Sequence, residues 1–222
     1  MKIRKKKSIL LVFLFLLIGG LFISNTFSLF LSNGESNKPN IVESEILLAT
    51  NLIKPKRNDF IIFELSENTK KKFVSRLVGK PGDTIVISTG VLYRNGDIID
   101  NDLTLSFDYL ISLTQYYEFV NTNLIKRELN LRKISKDSVL INLPESIELS
   151  KAIRGQKYIL SETVIDEKIQ KTFNEPWNID NFGELIIPND KYFFVGDNRH
   201  NSYDSRHYGF VDKKDLIGVV IW

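Results

Sequence analysis

Between Gly196 and Val211 the chain gathers side chains that can do chemistry together: Asp197, Asn198, Arg199, His200, Ser202, Asp204, Arg206 and His207. So dense a polar run stays ordered only when it is internally hydrogen-bonded. Asp204 with Arg206 or Arg199 offers charge-assisted pairs for that purpose. The run follows Tyr192-Phe193-Phe194-Val195, which reads as a buried strand ending in a Gly-Asp turn. A hydroxyl, carboxylates, guanidinium groups and two imidazoles are the parts of an acid–base or nucleophilic site. The plain alternative is a salt-bridged surface loop.

The order Gly196-Asp197-Asn198-Arg199, then Asn201-Ser202, Asp204-Ser205-Arg206 and Gly209-x-Val211, resembles the C-terminal signature of type I signal peptidases. Pro55-Lys56-Arg57-Asn58-Asp59-Phe60-Ile61-Ile62-Phe63 is similar to the family's Pro-Lys-Arg-Gly-Asp-Ile-Val-Val-Phe. Ser36-Asn37-Lys38-Pro39-Asn40-Ile41 matches its Ser-Met-x-Pro-Thr-Leu segment, with departures at Asn37 and Asn40. The resemblance implies peptide hydrolysis by a Ser/Lys dyad. Such a dyad needs a hydroxyl, an amine kept neutral by desolvation, and oxyanion donors.

On this resemblance Ser36 is the candidate nucleophile; its plain alternative is a linker serine. Gly34 stands where some members place a hydroxyl in the oxyanion hole, so a backbone N–H, that of Ser36, would serve alone. Ser202 would bond the lysine, Asp204 and Arg206 would brace the site as an ion pair, and Asp197, Asn198 and Arg199 would order the turn beneath it. The segment Arg76-Leu77-Val78-Gly79-Lys80-Pro81-Gly82-Asp83 fits the family's Arg-Val-x-Gly-x-Pro-Gly-Asp, but Ser75 precedes it where the family has lysine. A serine hydroxyl has no basic form near neutral pH. Among substitutes, Lys72 would point to the opposite face of a strand, and Lys71 would lie roughly 13 Å along it. Lys70, Lys71 and Lys72 read as a solvated charge run. His200 and His207 are natural bases by chemistry, although relatives that use His carry it at the lysine position.

The elements that must position these residues begin with a membrane anchor. The 222-residue chain has no Cys, which removes disulfides, thiol catalysis and Cys-based zinc sites. Lys2, Arg4, Lys5, Lys6 and Lys7 outweigh the net charge of +3, leaving the remainder slightly acidic and nucleic-acid binding unsupported. Ser8 to Gly34 carries no charge. A helix over residues 8–31 would span roughly 36 Å, enough to cross a bilayer. The basic residues 1–7 predict a cytoplasmic N-terminus with the bulk extracytoplasmic. A cleaved signal peptide is the rival reading, weakened by the length of the apolar run and the lack of a small-x-small site.

Short strand-like runs at Phe60–Phe63, Val74–Val78, Thr84–Ser88, Val91–Tyr93, Leu185–Ile187, Tyr192–Val195 and Leu216–Trp222, broken by Gly, Pro and Asn turns, predict a mainly β ectodomain. Asn95-Gly96 predicts a two-residue hairpin. Residues 32–100 and 182–222 are expected to form the core, with 101–181 as a smaller inserted lobe. Within that lobe Asp108–Leu129 could be helix or strand, and Ser146–Ile153 reads as a short helix. The fold expected is thus a signal-peptidase-like β fold with an inserted lobe, preceded by one transmembrane helix.

No metal or other cofactor is expected; Gly79-Lys80-Pro81-Gly82 is a turn and lacks phosphate-loop spacing. Partners expected are exported precursor proteins or surface-protein subunits, and the lipid bilayer, with Phe60, Phe63 or Trp222 contributing to an apolar membrane-facing patch. Three functions follow: a family member that handles signal peptides or extended segments without its base; an active signal peptidase using Ser36 and an unorthodox base; or a structural anchored module with no peptide groove.

Overall fold

The computed structural model describes residues 24–65, 71–122, 131–145 and 157–221. Its largest unit is a seven-stranded sheet. The strands are β1 (Phe27–Leu31), β2 (Ile46–Thr50), β3 (Phe60–Glu64), β4 (Lys72–Gly79), β12 (Lys191–Val195), β13 (Val211–Asp212) and β14 (Leu216–Ile221), ordered β1-β2-β14-β3-β4-β12-β13. A four-stranded sheet runs β11-β5-β6-β7, from β5 (Thr84–Ser88), β6 (Val91–Arg94), β7 (Asp97–Ile98) and β11 (Phe182–Ile186). Asn95 and Gly96 join β6 to β7 with φ of 55° and 87°, the positive values a two-residue hairpin requires.

The third sheet, β8-β10-β9, comprises β8 (Ser106–Ser112), β9 (Leu131–Lys133) and β10 (Ser138–Pro144). As far as residue 122, the stretch expected to be helix or strand is both: β8 passes at Ser112 into a helix over Leu113–Asn121. The switch is local, because Ser112 accepts from the Gln115 N–H while the Gln115 side chain accepts from the Ser112 N–H. This unit has its own core, with Phe107, Tyr109 and Ile141. The short helix expected over Ser146–Ile153 lies outside the described residues. Ile169, Phe173 and Trp177, grouped above with the inserted lobe, pack instead with Val78, Ile85, Phe182 and Phe193 between the two larger sheets.

The anchor expected over 8–31 needs one correction at its end. Phe27–Leu31 is strand β1, paired with β2 in the register Leu29↔Leu48 and Leu31↔Ile46. Phe27, Ser28 and Phe30 are half-buried while Leu29 and Leu31 are exposed, and pairing satisfies a backbone that the apolar count alone assigned to a helix. Residues 24–26 are helical, and residues 1–23 lie outside the described residues. Among those described, no helix is long and apolar enough to cross a membrane.

The apolar surface also differs from expectation. Phe60 and Phe63 are buried in the core, on opposite faces of the main sheet, and Trp222 lies outside the described residues. Exposed apolar side chains gather on the β1–β2 hairpin, at Leu29, which is 76% exposed, Leu31, Ile46 and Leu48, and others are scattered elsewhere on the surface.

Asp83 ties three turns together. Its carboxylate accepts both Arg57 guanidinium bonds at 2.7 and 2.8 Å, the Lys80 N–H at 2.9 Å and the Asn95 amide at 3.0 Å. Burial pushes its pKa up, but these donors outweigh burial and hold it at about 2. A carboxylate depressed in the folded state stabilises the fold above its unfolded pKa and loses that contribution as pH falls. Asp83→Asn should therefore lower stability at neutral pH and flatten the loss of stability between about pH 4 and pH 2. Urea unfolding across that range checks it.

Candidate active site

Ser36 lies in a turn between β1 and β2 that Lys38, Asn40 and Ile41 close with backbone bonds to Glu35 and Asn37. The C-terminal signature holds this turn in place. The Asn198 N–H donates to the Ser36 carbonyl at 2.9 Å, and Asn198 Nδ2 donates to the Glu35 carbonyl at 3.1 Å. Asn40 Nδ2 donates to Asp197 Oδ2 at 2.6 Å, so the departure at Asn40 is a structural tie. Asn37 Nδ2 donates to the Val74 carbonyl at 2.8 Å, fastening the turn to the edge of β4.

Gly196 makes the approach possible. A Cβ there would collide with Ser202 Oγ and the Ser36 carbonyl oxygen, so only glycine lets the two segments meet. Ser36, Ser75 and Ser202 consequently line one cavity of about 570 Å³, together with Asn37 and Tyr203. A second recess of about 560 Å³ adjoins it, sharing Ser36, Ser202 and Tyr203 and adding Glu35 and His200.

Two buried ion pairs support the site. Arg76 binds Asp197 through Nε and Nη2 at 2.6 and 2.5 Å, donates through Nη1 to the Asn58 carbonyl, and stacks on Phe60. Arg206 binds Asp204 through Nε and Nη2 at 2.9 and 2.8 Å and donates to the Arg199 carbonyl. Burial alone would raise the Asp204 carboxyl, but the Arg206 guanidinium and the Gly196 N–H hold it below the usual carboxylate range. Arg199 is engaged by Asp100 at 2.7 and 3.1 Å.

Ser75 is 5% exposed on β4, and its Oγ has no hydrogen-bond partner among the described residues. The Ser36 and Ser202 hydroxyls likewise make no side-chain hydrogen bond to a described residue. Neither histidine approaches Ser36 as a base. The Asp108 N–H donates to His200 Nδ1 at 2.9 Å, which leaves the proton on Nε2, and Nε2 donates to Asp180 at 2.9 Å. His207 packs against the Tyr203 ring and accepts from the Asp204 N–H, and burial lowers its pKa. Lys71 and Lys72 are exposed, as expected of a charge run, yet both line the Ser36 cavity.

Sequence reasoning missed the polar residues that brace the signature from outside it. Asn142 joins Asp108 to Asn198, and Asp100 and Asp180 partner Arg199 and His200. They lie far away in sequence and in no motif, and an unpaired buried Arg199 is the one signal that asks for an acid.

The family model for signal peptidase, peptidase S26, matches residues 5–222. The chain belongs to the signal peptidase S26 family. Signal peptidase I of Buchnera aphidicola subsp. Baizongia pistaciae is 31% identical over 183 residues, covering 76% of this chain and 54% of that protein. Signal peptidase I P of Bacillus subtilis subsp. natto is 29% identical over 198 residues, covering 87% and 74%. The chain thus spans about half the length of the Buchnera relative it matches. A signal peptidase I from Enterococcus faecalis V583 aligns over 76% of this chain at 22% identity with a TM-score of 0.38. The family assignment rests on the family model and the sequence relatives.

Gly196→Ala should separate the signature turn from the serine turn. The expected result is a loss of about 1–3 kcal/mol in stability and faster hydrogen exchange at the Asn198 amide. Unchanged protection of that amide would contradict the close approach.

Proposed function

We propose that this signal peptidase family protein is anchored in the cytoplasmic membrane and receives extended segments of exported proteins at the extracytoplasmic face, without a general base of its own. The observation that carries this reading is the Ser36 hydroxyl: it faces an open cavity, and no basic group of the described residues is bonded to it. A serine without a base is a poor nucleophile.

The edge of β4 supplies the binding mode. Leu77 exchanges backbone bonds with the segment leading into β3, donating to the Asp59 carbonyl and accepting from the Asn58 N–H. The antiparallel alternation then directs Ser75 and Phe73 toward β3, and Arg76 and Val74 away from it. Strand β12 covers that outer edge as far as Arg76, where it pairs with Val195, and no described strand pairs with it beyond. An incoming extended segment can add there, beside Ser36. The partners proposed are exported precursors or surface-protein subunits. Leu29, Leu31, Ile46 and Leu48 continue the apolar character of the preceding segment and give the hairpin a face for the bilayer.

The test uses the full chain in liposomes with a labelled bacterial preprotein carrying Ala one and three residues before the scissile bond. The wild type should bind it without cutting, and Ser75→Lys should cut in a Ser36-dependent way. Cutting by the wild type that Ser36→Ala abolishes would overturn this reading in favour of an active peptidase with an unorthodox base. Absence of both binding and cutting would favour the structural module.

Because the chain has no Cys, membrane contact can be read at a single position. An environment-sensitive dye on Leu29→Cys should report an apolar surrounding in liposomes, and the same dye on the exposed position Ile165→Cys an aqueous one. Equal aqueous signals would remove the hairpin from the bilayer.

A further inference from the structure

The cavity that holds Ser36 carries its charge at the start of β4. Lys71 and Lys72 line it there, and both side chains are exposed. Every other described residue lining it is uncharged. Neither lysine has an ion-pair partner among the described residues. Glu64 stands opposite Lys72 in the sheet register and does not line the cavity. Glu35 lines the adjoining recess, where Lys38 already pairs with it. Two like charges side by side repel each other, and an anion brought between them relieves that repulsion.

The strand edge says what form the anion takes. Along β4, Val74 and Lys72 turn their backbone N–H and C=O groups away from β3. The Val74 carbonyl is occupied, because Asn37 Nδ2 donates to it at 2.8 Å. Strand β12 covers this edge only as far as Arg76. The backbone groups left for an added strand are therefore the Val74 N–H and those of Lys72. An extended segment that adds here runs alongside Lys71 and Lys72, whose side chains, as neighbours on an extended chain, flank the edge from opposite faces. Lys71 lies about 13 Å from Ser75, which is about four residues of an extended peptide.

We propose that Lys71 and Lys72 select an acidic peptide by binding an aspartate or glutamate side chain about four residues from the one held beside Ser75. This rests on the peptide-handling reading above. A segment parallel to β4 carries that acid on the N-terminal side of the residue beside Ser75, and an antiparallel one carries it on the C-terminal side. Each ammonium is a compact charge with three rotatable donors, so the pair accepts Asp and Glu alike. A basic residue at the same place meets like charge and is rejected.

The test measures binding of fluorescent peptides to the full chain in phosphatidylcholine liposomes. Each peptide carries Ala one and three residues before the scissile bond, with a single Glu, Gln or Lys at successive positions on either side. At the favoured position Glu should bind about fivefold more tightly than Gln at low salt, the gain of one partly exposed ion pair. Lys should bind more weakly than Gln. At about 1 M salt, where the screening length falls to about 3 Å, the three should converge. Lys71→Met with Lys72→Met should erase the preference, and Lys71→Glu with Lys72→Glu should reverse it in favour of Lys.

Equal binding of Glu and Gln peptides would overturn the selectivity and leave the peptide reading in place. Failure of every peptide to bind would overturn both. A Glu preference that survives Lys71→Met with Lys72→Met would remove the lysines as its source. An environment-sensitive dye on Lys72→Cys should respond to the Glu peptide and not to phosphatidylglycerol added to the liposomes. The opposite pattern would assign this end of the cavity to lipid head groups and overturn the peptide selectivity.

Discussion

The arrangement depends on the buried ion pair between Arg76 and Asp197. Arg76 belongs to β4, next to Ser75, and Asp197 opens the turn that carries Asn198. One contact therefore joins the strand, the signature and, through Asn40, the serine turn. Two charges taken out of water cost several kcal/mol each, and their attraction offsets this only when every remaining donor and acceptor is satisfied. Here the guanidinium also reaches the Asn58 carbonyl and stacks on Phe60, and the carboxylate also takes the Asn40 amide. Asp204 and Arg206 repeat the design one turn later. Most polar groups of the region are paired, and the buried side-chain atoms without a partner among the described residues are Asn37 Oδ1, Ser75 Oγ, the Tyr109 hydroxyl and Arg199 Nε.

That contrast separates scaffold from chemistry. Every charged member of the signature is engaged by a backbone group or by a side chain that is at least partly buried. The three serines at the cavity are placed by this scaffold and bonded to none of it through their hydroxyls.

Most of the sheet was legible because its strands are short apolar runs closed by specific turn chemistry. Thr84–Ser88, Asn95-Gly96 and Tyr192–Val195 fall where pattern and turn residues place them. The first strand was not legible, because apolar residues of β1 continue a longer apolar run and hydropathy cannot mark where helix gives way to strand. The β8-to-helix switch turns on a single capping serine, too local for a window of mixed spacing. At the site, motif matching named Ser36, Ser75 and Ser202, which line one cavity, and the Asp204–Arg206 pair, but it did not anticipate that Arg76 would pair with Asp197. It could not find Asn142 on β10, or Asp100 and Asp180 in the loops after β7 and before β11, whose roles arise only when these segments pack against the signature.

The bonds from Asn198 to the carbonyls of Glu35 and Ser36 close over 163 and 162 positions of chain. Contacts so distant in sequence form late, after the intervening strands have found their neighbours. A chain emerging N-terminus first thus exposes its serine turn long before the segment that shapes it exists. No partial product of synthesis can carry the assembled recess. The signature thus acts as the assembly signal for a turn made far earlier, and a chain cut before Asn198 should lack the assembled recess.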